Sequence, residues 1–96
     1  MKKLPTAEQC EEVSGILKTL SHPHRLMILC LLSSGPKTVS ELEEASGAAQ
    51  SSVSQFLARM KAESLVTSER QASHVYYEIA DPRIFKLVQS MHKIFC

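Results

Sequence analysis

Apolar positions recur at helical spacing in several stretches of this chain and alternate in one. Over Ala7–Leu20 they are Cys10, Val13, Ile16, Leu17 and Leu20, a single stripe on an amphipathic helix. Thr6 and Gln9 frame its start as a capping box. Ser21 is expected to cap the next helix, with Pro23 in the first turn, where a missing N–H does no harm. Residues 26–32 read LMILCLL, apolar without a break. A helix apolar all round is expected to be buried on every side, so this one is predicted to be the centre of the core.

The stretch 38–65 predicts two short helices joined by a tight turn. Thr38 and Glu41 form a second capping box, and Val39, Leu42 and Ala45 share one face. Gly47 stops that helix, because a left-handed C-terminal position costs glycine nothing. The following helix is expected to run to about Glu63, with Val53, Leu57 and Met60 inward. After Leu65 the period changes from helical to alternating. VTSER and HVYYEI read as two strands around the break Gln71-Ala72-Ser73, with Val75, Tyr77 and Ile79 on the packed face. Asp81 and Pro82 then open a last helix with the stripe Ile84, Leu87, Val88, Met91, Ile94 and Phe95.

The order is therefore helix, helix, helix-turn-helix, hairpin, helix. The fold class is mainly α with a β-hairpin wing, a winged helix-turn-helix. All 96 residues form one domain, since 1–96 contains no linker, repeat or low-complexity segment. The apolar stripes of the first and last helices exceed what so short a chain covers. A second copy is their expected cover, which makes the protein a homodimer.

The wet face of the second helix in the pair decides the expected partner. It offers Gln50, Ser51, Ser52, Ser54 and Gln55, then Arg59 and Lys61, with no carboxylate before Glu63. Amides and hydroxyls read base edges, and arginine or lysine reaches phosphate. A helix-turn-helix sets such a helix in the major groove of double-stranded DNA. The hairpin would carry Arg70, Gln71, Ser73 and His74 to an adjacent groove or backbone. A net charge of +1 is not the strongly basic balance of a nonspecific nucleic-acid binder and counts mildly against DNA. The charges are unevenly placed, however. Glu41, Glu43 and Glu44 gather on one helix, while Arg59, Lys61 and Arg70 lie downstream. A Ser/Gln surface is also compatible with a protein-binding winged helix that lacks DNA activity.

Other classes find little support. No apolar run reaches membrane-spanning length, and MKKLPTAEQC lacks the apolar core of a secretory signal, so a cytoplasmic protein is expected. No phosphate loop, catalytic triad or apolar carboxylate pair points to an enzyme, and none implies a cofactor. The three cysteines, Cys10, Cys30 and Cys96, include no CxxC. Taken alone, Cys30 in its apolar helix reads as a small core hydrophobe, and Cys10 as core or dimer surface.

The segments LKTLSHPHRLMILCLL and TVSELEEASGAAQSSVSQFLARMKAESLVTSERQASHVYYEIAD resemble the ArsR–SmtB family of winged-helix repressors, from about Leu17 to the chain's last residue. The Ser21–Arg25 segment and VSQFLARM at 53–60 are its most specific parts. The resemblance implies a homodimeric repressor that releases operator DNA on meeting an inducer. Three departures stand out. Phe56 replaces the usual His. Ala49 replaces a capping Ser and forfeits about 1 kcal/mol. The metal-sensing cysteine pair is absent from SELEEAS. Zinc-binding members place ligands on the last helix, where this chain offers only Asp81 and His92, with Cys96 beyond. No metal residues are therefore assigned, and a metal-sensing repressor is the lesser alternative. His22 and His24 are expected to solvate a helix start. Cys30 and Cys96 resemble the two thiols of the sulfur-responsive branch, the BigR, SqrR and HlyU type. That resemblance implies that they join within a protomer as a disulfide or polysulfide redox switch, with Lys93 or His92 favouring the Cys96 thiolate.

Overall fold

A computed structural model describes residues 4–96, leaving residues 1–3, and with them part of the segment read as lacking a signal, outside the described residues. Five helices and two strands follow in the expected order. They are α1 (Ala7–Leu20), α2 (Pro23–Leu32), α3 (Val39–Ser46), α4 (Gln50–Ala62), β1 (Val66–Gln71), β2 (His74–Ile79) and α5 (Pro82–Phe95). Among the described residues no helix is long and apolar enough to cross a membrane.

Local chemistry accounts for the boundaries. Both expected capping boxes form, with Thr6 and Gln9 at α1 and Thr38 and Glu41 at α3. Gly47 closes α3 at φ 74°, in the left-handed region. Asp81 caps α5 by accepting from the Arg83 N–H at 2.9 Å.

One cap differs from expectation. Ser21 belongs to the end of α1, where its Oγ donates to the Lys18 carbonyl at 2.7 Å. His22 caps α2 instead, its Nδ1 accepting from the His24 N–H at 3.3 Å. Ser21 adopts a helical backbone, whereas a cap needs the extended one that His22 has.

The core gathers Leu20, Ile28, Leu29, Leu32, Leu42, Val53, Leu57, Met60, Leu65, Val66, Ile84 and Val88. Helix α2 contributes three of these, but it is not buried on every side. Met27 is 45 % exposed, and Leu26, Cys30 and Leu31 are half-buried. Helices α1, α3 and α5 and strand β2 pack on α2, which buries Arg25, Ile28, Leu29 and Leu32 and leaves Met27 open.

The hairpin is tighter than its sequence suggests. Gln71 pairs with His74 inside the ladder, leaving a turn of only Ala72 and Ser73. Ala72 adopts φ 56° to make that turn. Lys37 adds a further antiparallel bridge to Tyr77, its N–H donating at 3.0 Å and its carbonyl accepting at 2.8 Å. The hairpin is thereby anchored to the segment leading into α3.

Candidate nucleic-acid interface and thiol pair

Helix α4 buries Val53, Leu57 and Met60 against the core, which turns the opposite face outward. Gln50, Ser51, Ser54, Gln55 and Arg59 are all exposed. Ser52 is half-buried, so it lies at the margin of that face rather than on it. The helix begins at Gln50 behind Ala49, which has a cap's extended backbone but no side-chain hydrogen bond. Its far end closes by backbone bonds. The Ser64 N–H donates to the Lys61 carbonyl at 3.0 Å and the Leu65 N–H to the Met60 carbonyl at 2.9 Å. This is a Schellman arrangement, with Ser64 at φ 62° in the place glycine usually takes.

Each flank of α4 is fastened to a different element. On one side the Lys61 Nζ donates to the Ser68 Oγ at 2.6 Å, tying the helix to β1. Arg70, Gln71, Ser73 and His74 are exposed around the hairpin tip, so both halves of the predicted interface face solvent. On the other side His22 and His24 do more than solvate a helix start. Their rings pack on Phe56 with centroids 4.9 and 5.9 Å away. Below them the buried Arg25 faces Glu63 at 3.8 Å, and Glu63 also accepts from the Thr19 Oγ1 at 3.4 Å. The sequence pointed to none of these contacts. In retrospect, the aromatic at position 56 one turn before Arg59 was the available signal.

The thiols lie elsewhere, where the end of α2 meets α5. Cys30 is half-buried at the edge of a recess of about 690 Å³ that Lys86, Gln89, His92 and Lys93 also line. Burial pushes the Cys30 thiol up from its ordinary range, and the nearby charge of Cys96 pushes it further. Cys96, 66 positions further on (96 − 30), follows His92 and Lys93 at the end of α5, and those two residues line the same recess. Cys96 is exposed. So is Cys10, on the surface of α1, which removes the core reading for it.

A family model described as bacterial regulatory protein, arsR family, matches residues 22–68, from the α2 cap to β1. The HTH-type transcriptional regulator YgaV of Escherichia coli K12 is 38 % identical over 87 residues, covering 90 % of this chain and 88 % of that one. The chain belongs to the ArsR family. The biofilm growth-associated repressor of Xylella fastidiosa strain Temecula1 is 36 % identical over 89 residues, covering 93 % of this chain and 78 % of that protein. The crystal structure of the transcriptional repressor BigR from Xylella fastidiosa superposes with a TM-score of 0.85 at 36 % identity, over 93 % of this chain and 91 % of that one. HlyU from Vibrio vulnificus gives a TM-score of 0.88 at 29 % identity, over 93 % of each chain.

As an ArsR-family member the protein is a winged helix-turn-helix, DNA-binding transcriptional regulator and not an enzyme. The matched stretch contains α3, α4 and Cys30 but ends well before Cys96. Among the described residues no three of His, Cys, Asp and Glu come together as a metal would require. Asp81 is engaged by the Arg83 guanidinium at 2.9 Å, which holds its carboxyl below the ordinary range.

Proposed function

We propose that this protein is a homodimeric, operator-binding repressor whose grip on DNA is released when Cys30 and Cys96 are oxidised by reactive sulfur. The observation that carries this reading is that Cys30 opens onto the recess where α2 meets α5, whose His92 and Lys93 stand within four residues of Cys96. A two-thiol switch needs the elements that bear its thiols to be neighbours, and α2 packs on α5. The relatives named BigR and HlyU belong to the branch whose cysteine pair this chain's sequence resembles.

The dimer rests on uncovered apolar surface. Val13 and Leu17 on α1 and Ile94 and Phe95 on α5 are exposed in the protomer, Ile94 at 72 % and Phe95 at 82 %. An isologous pairing of α1 and α5 with their symmetry mates would cover them. It would also set two α4 helices to meet successive major grooves of an inverted repeat, about 34–36 Å apart. Gln50, Ser51, Ser54 and Gln55 read bases, Ser52 borders them, and Arg59 with the hairpin's Arg70, Gln71, Ser73 and His74 holds backbone.

The switch chemistry balances with a persulfide, R–S–SH, as oxidant. The exposed Cys96 thiolate attacks the outer sulfur and releases R–S⁻, leaving Cys96 as a persulfide. Cys30 then attacks the Cys96 sulfur and expels hydrosulfide. Two thiols have given up two electrons, and the persulfide leaves as R–SH and H₂S. A second persulfide that first extends the Cys96 persulfide by one sulfur, leaving as R–SH, gives a trisulfide when Cys30 attacks the middle sulfur and expels hydrosulfide. The bridge ties the end of α5, in the dimer contact, to α2, on which α3 packs. A hundredfold loss of operator affinity needs only about 2.7 kcal/mol of preference for a mismatched geometry.

The experiment is operator binding by the reduced and the persulfide-treated protein, with intact mass recorded alongside. Release on treatment, rebinding after reductant, and operator-bound but unresponsive Cys30→Ser and Cys96→Ser variants are expected, while Cys10→Ser behaves as the parent. Release by Cys30→Ser on treatment, or release only on adding zinc, would refute the thiol switch.

A further inference from the structure

The recess beside Cys30 has a character that a disulfide alone does not require. Its volume of about 690 Å³ falls in the range of small-molecule sites. Lys86, Gln89 and Lys93 follow one another at spacings of three and four along α5, so they share one side of that helix. All three are exposed, and neither lysine enters an ion pair among the described residues. No Asp or Glu side chain lines the recess; Glu78 lines the adjoining hollow, which shares Ser33 and Ser34 with it. Two of the three serine hydroxyls are already committed: the Ser33 Oγ donates to the Cys30 carbonyl and the Ser34 Oγ to that of Leu31. The uncommitted polar groups around the thiol are therefore the Lys86 and Lys93 ammonium groups, the Gln89 amide, the Ser90 hydroxyl and the His92 ring.

We propose that this recess is the binding site for the switch's oxidant, and that it selects a persulfide carrying carboxylates over neutral oxidants. The inference rests on the thiol-switch reading above and names the substrate class of that same site. Lys86 and Lys93 take the carboxylates, Gln89 donates to one of them, and the outer sulfur is left towards Cys96 and Cys30. The lysines also offset the negative charge that gathers as an anionic persulfide meets a thiolate. A neutral oxidant such as hydrogen peroxide gains nothing from either effect.

The test compares the parent with a Lys86→Gln/Lys93→Gln variant, following bridge formation by intact mass with glutathione persulfide and, separately, with hydrogen peroxide. The variant should react about tenfold more slowly with the persulfide and lose most of the salt dependence of that rate, while its peroxide rate stays within twofold of the parent's. An unchanged persulfide rate overturns the proposal and leaves the switch standing. An equal fall with both oxidants also overturns it, because the lysines would then act on the thiols and not on the oxidant. The unreactive S-methylglutathione separates the two readings. Its titration should shift backbone amide resonances around Lys86, Gln89 and Lys93 in the parent and not in the variant. If the parent forms no bridge with either oxidant, the switch reading fails, and the titration alone decides the recess: no shifts there overturn it.

Discussion

His22 packs against Phe56 with ring centroids 4.9 Å apart, joining the cap of α2 to the middle of α4. The contact stands on the flank of α4 opposite the Lys61–Ser68 hydrogen bond, so the helix is held from both sides. Phe56→Ala removes the larger partner. Because Phe56 is half-buried, the loss should be about 2 kcal/mol, below that of a fully buried ring. Urea unfolding measures it, and operator affinity should fall as α4 loosens. An unchanged unfolding midpoint would show that the stack contributes nothing.

Ala49 occupies a cap position with extended backbone and offers no acceptor to α4. Ala49→Ser supplies one. Thermal or urea unfolding should show a gain of about 1 kcal/mol. A neutral or destabilising result would mean that the hydroxyl turns away from the free N–H groups.

The two halves of the DNA face predict different failures. Gln55→Ala should cost about 1–3 kcal/mol of discrimination between operator and altered sites, with little change on random duplex. Arg70→Ala should weaken all duplexes alike and lower the salt slope by about one. Fluorescence anisotropy across a salt series separates the two. The assignment of bases to α4 and backbone to the hairpin would not survive the opposite pattern.

Leu17 is 48 % exposed, so a charge there is tolerated by the protomer and intolerable in an apolar dimer contact. Light scattering should give a dimer for the parent and a monomer for Leu17→Glu, with helical circular dichroism unchanged. A monomeric parent at micromolar concentration would rule out the α1–α5 dimer.

The thiols should alkylate in order. Burial and then the Cys96 charge hold Cys30 above the ordinary thiol range, and only the thiolate alkylates. The sign follows directly: a raised pKa moves thiolate formation to higher pH. Iodoacetamide at neutral pH should label exposed Cys10 and Cys96 well before Cys30, and Cys30 labelling should still be rising where an ordinary thiol, near about 8.5, has levelled off. Peptide mass spectrometry reads this. Early labelling of Cys30 at neutral pH would reverse the order of attack proposed here.

The sequence by itself determined the elements and most of their ends. Caps and stops are local, so Thr6, Thr38, Gly47 and Asp81 announce themselves within four residues of what they bond. The change of apolar period after Leu65 likewise marked the hairpin, and residue types alone singled out the outward face of α4. Where local signals competed, as at Ser21 and His22, backbone conformation chose between neighbours that composition could not rank. The Schellman close at Ser64 and the turn at Ala72 were hidden because non-glycine residues take left-handed conformations that glycine advertises. Only the tertiary structure decided the rest. It left Met27 in the open on a helix apolar all round, since packing comes from neighbours and not from the helix itself. It set His22 on Phe56, Lys37 on Tyr77 and Arg25 on Glu63. It also set Lys86 and Lys93 on the recess beside Cys30. Such pairings join residues far apart in the chain, and no pattern confined to a few turns records which distant groups the fold will bring together.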